Sequence, residues 1–191
     1  VWSDPTGFIP LTDEHLLASS AAGMMGMQGT GTGTGNALTP GTGTASHPGI
    51  YTLSTGTPTT GNHNYRTSQS ALLFGGGPHL LTMVVQIPAL SDGTDTFYSY
   101  CGFADNMSTG AGNMTDGAYF IYSSANTSYT NTAKWSGMTA NNVTYTEVPS
   151  SITVGAGTWY KLAILVNAAG TSAEFFIDDV SIVTSTTNIP T

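Results

Sequence analysis

Eleven carboxylates against three cations make acid chemistry the first thing to look for in this chain. Glycoside hydrolysis needs two carboxyl groups across one bond, one as acid and one as base or nucleophile. Glu14, Glu147 and Glu174 lie far apart in sequence, so no two of them are set close together on one strand. Asp178 and Asp179 are adjacent, but they fall at the end of a strand pattern, where consecutive residues point to opposite faces. They are not expected to pair across a cleft. No Gly-x-Ser-x-Gly elbow occurs. His15, His47, His63 and His79 stand alone, without the spacing of metal ligands, and read as loop or turn histidines. The Gly/Thr tract lacks the pattern and the lysine of a phosphate loop. The expectation is no catalytic residue, no metal, no cofactor, and hence no enzyme.

Cys101 is the single cysteine, so no intramolecular disulfide can form. It lies in the alternating stretch Tyr98-Ser-Tyr-Cys-Gly-Phe103 and reads as a buried structural thiol.

Two features can carry a ligand. Asp105 and Asn106 open a loop that ends at Asp116, and such oxygens are hard ligands suited to Ca²⁺. The competing reading is an Asx-type turn. Tyr122, Tyr129 and Trp135 fall on or beside strands with polar neighbours, where exposed rings would stack on sugars; the competing reading is packing between strands. The expected ligand set is thus Asp105, Asn106, Asp116, Tyr122, Tyr129 and Trp135. Asn106, Asn113, Asn126 and Asn142 open N-glycosylation triplets, but so Asn- and Thr-rich a chain produces these by chance.

The net charge of −8 repels phosphate backbones, so nucleic acid is excluded as a partner, and a polybasic membrane patch with it. Only 7% of residues are charged, against about 25% in ordinary domains. Ser, Thr, Asn and Gly take their place on the surface, and these residues favour strands and turns. No membrane-spanning run occurs, and Leu16–Met27 follows Asp13 and Glu14, the wrong charge for a signal peptide. A chain of 191 residues fits one domain and buries roughly 70% of its unfolded surface, enough for a core without staples.

Residues 1–45 are the least regular part. Gly29-Thr-Gly-Thr-Gly-Thr-Gly35, echoed at Gly41–Thr44, reads as a strand packed closely on its Gly face, with a linker as the alternative. From residue 46 the alternation is regular. Strands are expected at 49–54, 71–74, 80–87, 96–103, 117–122, 133–138, 143–148, 158–167 and 173–178, those at 133–138 and 143–148 being exposed. Leu81, Met83, Val85 and Ile87 share one face of their strand. The 158–167 segment is apolar on both faces, which marks a central strand, and the Gly-containing loop 168–172 makes it a hairpin with 173–178. No helical period interrupts the series, so the fold class is all-β, an antiparallel β-sandwich in one domain over 1–191.

Asp116-Gly-Ala-Tyr-Phe120, Gly157-Thr-Trp-Tyr-Lys-Leu162 and Asn167-Ala-Ala-Gly-Thr-Ser-Ala-Glu-Phe-Phe-Ile-Asp178 resemble strands of concanavalin A-like (lectin/glucanase, laminin-G-like) jelly rolls, in the variant found in tailed-bacteriophage structural proteins. His47-Pro-Gly-Ile50 and Leu73-Phe-Gly-Gly-Gly77 resemble earlier strands of that variant, so the likeness covers about 47–183. It implies a virion location on the particle exterior and a capsid decoration or head-surface role, with capsid proteins as partners. A homo-oligomer is expected, trimers first, because capsid sites are often threefold. The alternative is a carbohydrate-binding adhesin or tail-fibre module whose partner is a host surface glycan.

Overall fold

The computed structural model describes residues 27–47, 49–56, 61–67, 72–92, 94–105, 114–123 and 133–190. Every strand pairing among them is antiparallel, and no described residue is helical. The chain divides into two compact units, 1–72 and 73–191.

The first unit holds β1 (Met27–Thr32), β2 (Ala37–Pro40), β3 (Tyr51–Ser54) and β4 (Asn62–Thr67). β1 pairs with β4, and β2 with β3. The Gly/Thr tract is strand in its first half and turn in its second. Gly29 and Gly31 accept close neighbours: a Cβ on Gly29 would lie 2.7 Å from Leu38 Cδ2, and one on Gly31 2.5 Å from the Asn62 carbonyl. Gly33 and Gly35 adopt φ of 109° and 79° and reverse the chain toward β2. The Gly41–Thr44 echo is no strand of its own; reciprocal bonds between the Thr44 and His47 backbones make it the turn region between β2 and β3.

The second unit is a β-sandwich. Its strands are β5 (His79–Gln86), β6 (Tyr98–Ala104), β7 (Gly117–Ser123), β8 (Lys134–Asn141), β9 (Thr144–Thr153), β10 (Trp159–Val166), β11 (Ala173–Ile177) and β12 (Val180–Ser185). They form two four-stranded sheets, ordered β12-β11-β10-β5 and β6-β7-β8-β9. The second is a meander of consecutive strands; the first joins the β10–β11–β12 meander to β5 from the far end of the unit.

β10 is central, as its two apolar faces predict, and its hairpin with β11 closes through 167–172. Asn167 shapes that loop by accepting the Thr171 and Ser172 amides at 2.7 and 3.2 Å. Leu81, Met83 and Val85 of β5 turn inward as expected, while Leu80, Thr82 and Val84 face solvent. Of the strand expected at 71–74, Ala71 lies outside the described residues, and the rest is no strand: Leu72 and Leu73 are irregular and exposed, and the chain turns from Phe74.

The core lies between the sheets. Phe120 of β7 meets Phe175 of β11 edge-on at 5.2 Å, and Trp135 of β8 meets Tyr160 of β10 at 6.1 Å. Around them Leu162, Ile164, Val166 and Ala118 are fully buried. β8, expected to be exposed, is buried along Trp135–Ala140, because Ser136, Gly137 and Thr139 are small enough for close cover.

Cys101 faces this core from β6, opposite Phe120, as the alternation predicts. Burial pushes its thiol up to about 11 from the ordinary 9.0, partly offset by a hydrogen bond with Ser99. The folded chain therefore holds a proton that the unfolded chain releases above pH 9, and stability falls between pH 9 and 11. The expected loss is about 2 kcal/mol, read as a drop in urea midpoint from pH 8 to 10.5 that is smaller in a Cys101→Ala variant.

Candidate functional site

Of the six residues expected to bind a ligand, the structure brings two together, buries two, and leaves Asn106 and Tyr129 outside the described residues. Tyr122 and Trp135 are both 0% exposed. This corrects the expectation of a sugar-stacking platform. Their rings lie 6.1 Å apart at 62°, Trp135 also touches Phe120 and Tyr160, and the Tyr122 hydroxyl accepts the Ser91 amide at 3.2 Å. Both side chains face the opposite sheet, so their faces are spent on core packing.

Asp105 and Asp116 meet at one end of the β6–β9 sheet. Asp105 Oδ1 accepts the Asp116 amide at 3.0 Å, and the Asp105 amide donates to the Asp116 carbonyl at 3.0 Å. Asp116 Oδ1 in turn accepts the Asn142 amide at 2.8 Å, while the Val143 amide donates to the Thr115 carbonyl. Each carboxylate thus has one oxygen on a backbone amide, tying the β6–β7 connection to the β8–β9 turn. Among the described residues no group of three or more His, Cys, Asp or Glu is placed to hold a metal ion.

The tie holds an unfavourable turn. Asn142 and Val143 both adopt left-handed conformations, with φ of 48° and 62°, and the Val143 side chain is 70% exposed. Two such residues make a type I′ hairpin turn, which favours Asn-Gly, whereas a β-branched residue crowds its own carbonyl there. Val143→Gly is expected to stabilise the chain by about 1 kcal/mol, read as a higher urea midpoint at unchanged slope.

The other candidate groups are dispersed. Glu147 accepts the Ser136 hydroxyl at 3.1 Å, and Glu174 accepts that of Ser181 at 2.5 Å. Glu147 stands beside Met138 on the outer face of one sheet, and Glu174 beside Leu165 on the outer face of the other. Both sheets, packed roughly 10 Å apart, separate them, so they cannot flank one bond. Asp178 and Asp179 are not strand residues but the two-residue turn between β11 and β12, at φ of 51° and 66°. Asp178 accepts the Lys161 amide at 2.9 Å, and Asp179 pairs with the exposed Lys161 ammonium. His47 sits in the β2–β3 turn region and His79 bonds the Gly77 carbonyl. His63 packs over Gly29 and Gly31 with neither ring nitrogen hydrogen-bonded, and burial holds its pKa below the ordinary value. His15 lies outside the described residues.

Two surfaces escaped the sequence reading. Tyr119, Ile121, Met138, Ala140 and Met114 form a second buried cluster, on the face of the β6–β9 sheet turned away from the core, with Tyr98 and Tyr100 packed against it. On the other sheet, Leu80 and Val84 are 54% and 55% exposed. The register sets them beside Leu165 and Lys161, with Thr82, Ala163 and Phe176 in the row between. Alternation in β5 signalled the exposed row, but only the pairing with β10 made it a continuous face.

No curated protein and no solved structure matches the chain. Residues 46–191 match the family described as "SO2946-like, C-terminal domain", a stretch that takes in β3, β4 and the whole sandwich; the chain therefore belongs to the SO2946-like C-terminal domain family.

Proposed function

We propose that this chain is a non-enzymatic structural protein of a tailed-bacteriophage virion, a capsid decoration or head-surface domain that works by presenting a surface. The observation that carries the reading is the outer face of the β12-β11-β10-β5 sheet. There Leu80, Thr82, Val84 and Leu165 form an uncharged patch bordered by Glu174 and by the ion pair Lys161–Asp179. Such a face suits contact with other proteins of a lattice. The setting rests on the resemblance of its strand motifs to those of phage jelly rolls, and the scarcity of charge, 7% of residues, suits a subunit packed among others. The carboxylates agree with a structural role, since Asp105, Asp116 and Asp178 each accept a backbone amide and Glu147 and Glu174 lie on opposite outer faces. Its partners are capsid proteins and further copies of itself, on the outside of the particle.

Immunogold electron microscopy of the source particle, with an antibody to this chain, tests the reading. Label spread over the head supports it. Label confined to a tail tip or to sparse fibres would overturn the decoration role in favour of the glycan-binding adhesin. Unlabelled particles would sink the virion reading.

A further inference from the structure

Sheet ends are where one β-sandwich can grow onto another, because an edge strand leaves a row of N–H and C=O groups unpaired. Among the described residues the second unit has four such strands: β12, β5, β6 and β9. Three carry features that discourage pairing. β9 contains Glu147 and Pro149, and its register with β8 shifts between Lys134 and Ser136. β12 shifts against β11 between Phe175 and Phe176. β6 contains Gly102 at a φ of 155°.

β5 has none of these. His79–Gln86 holds no charged residue, no proline, no glycine and no bulge, and it keeps register with β10 over all eight residues. Among the described residues its other edge makes no backbone hydrogen bond. Its inward side chains Leu81, Met83 and Val85 are only half-buried, whereas their β10 partners Ile164, Leu162 and Tyr160 are buried. The core is therefore under-covered along this edge.

We propose that β5 is a self-association edge, where two copies of this chain pair antiparallel and join their sheets into one of eight strands. Antiparallel pairing sets residues of the same face opposite one another. With the two-fold axis at Thr82, Leu80 stands opposite the partner's Val84, and Thr82 opposite the partner's Thr82. On the inner face Leu81 stands opposite the partner's Met83. These are aliphatic and Thr–Thr pairs of the kind that stabilise sheets, and no like charges meet. That matters in a chain of net charge −8, whose copies otherwise repel each other. The occupant is a second copy because this register is complementary to itself. The arrangement is two-fold, so the contact makes pairs and not the trimers that capsid symmetry suggests.

Sedimentation equilibrium of the full chain from micromolar to submillimolar concentration tests the pairing. The expected result is a monomer–dimer equilibrium that Thr82→Lys weakens at least about tenfold, by setting two ammonium groups across the axis. Thr82 is exposed, so the circular dichroism spectrum, and the Tm at concentrations where the chain is monomeric, should be unchanged. A second variant, Thr82→Cys with Cys101→Ala, should give a disulfide-linked dimer on mild oxidation, because directly opposed strand residues lie within disulfide reach. A monomer at every concentration, a dimer indifferent to Thr82→Lys, or failure of residue 82 to cross-link would each overturn the proposal. These outcomes are independent of where the chain sits on a particle.

Discussion

Trp135→Ala is expected to lower the unfolding free energy by about 4 kcal/mol, within the range for truncating a buried aromatic. The indole is 0% exposed and touches Phe120 and Tyr122 on its own sheet and Tyr160 on the other, at 6.3, 6.1 and 6.1 Å. Removing it leaves a cavity that three rings, held on β7 and β10 of opposite sheets, cannot collapse into. Domains of this kind are stable by only about 5–15 kcal/mol, so the variant keeps a fraction of its margin. Urea unfolding should show the midpoint fall with little change in slope, and Trp135→Phe should lose less than half as much. A Trp135→Ala variant within about 1 kcal/mol of the parent would contradict this packing and return the ring to the surface. The same result has a bearing on function: loss of glycan binding in Trp135→Ala would report unfolding, because the ring is not available to stack on a sugar.

Gly137→Ala is expected to cost about 3 kcal/mol, although it adds one methyl group. A Cβ at position 137 would lie 2.8 Å from Cγ and Cδ2 of Phe175 and 2.9 Å from Cγ2 of Val148. Phe175 has no free space to retreat into, being fully buried and packed edge-on against Phe120 at 5.2 Å. The missing side chain on β8 is thus the room that Phe175 of the opposite sheet occupies. Thermal and urea denaturation should both show the loss, and Phe175→Leu in the Gly137→Ala background should recover part of it, a coupling that a double-mutant cycle measures. Additive costs would mean that the two residues do not compete for one volume.

The Gly137 and Trp135 positions show where sequence reasoning stops. Lys134–Asn141 contains Ser, Gly and Thr at the places where an exposed strand would carry them, so its alternation suggests a solvated face. Small residues are equally suited to lying under a tightly packed neighbour, and the two cases read alike along the chain. The neighbours are remote: Thr139 bonds Ser185, 46 residues on, and Gly137 faces Phe175, 38 residues on. Exposure of Tyr122 and Trp135 was therefore beyond local pattern. Asp178-Asp179 failed for a different reason. Two aspartates extend a strand pattern or make a type I′ turn equally well, and the pairing of Ile177 with Val180 selects the turn.

What the sequence determined by itself was the all-β class and the strands β5 to β11 of the second unit. Period-two alternation in β5, the doubly apolar β10 and the Gly-containing loop before β11 are local signals, because a strand's two faces and a hairpin's turn are written within a few residues. The absence of charge along β5 is equally local. The tertiary structure alone determined which faces are covered, which carboxylates meet, and which strand is left at an edge. Those depend on sheet order, and sheet order joins β5 to β10 across more than seventy residues of chain. Asp105 and Asp116 met because the ends of β6 and β7 are paired, whereas Glu147 and Glu174 were set apart by the thickness of the sandwich.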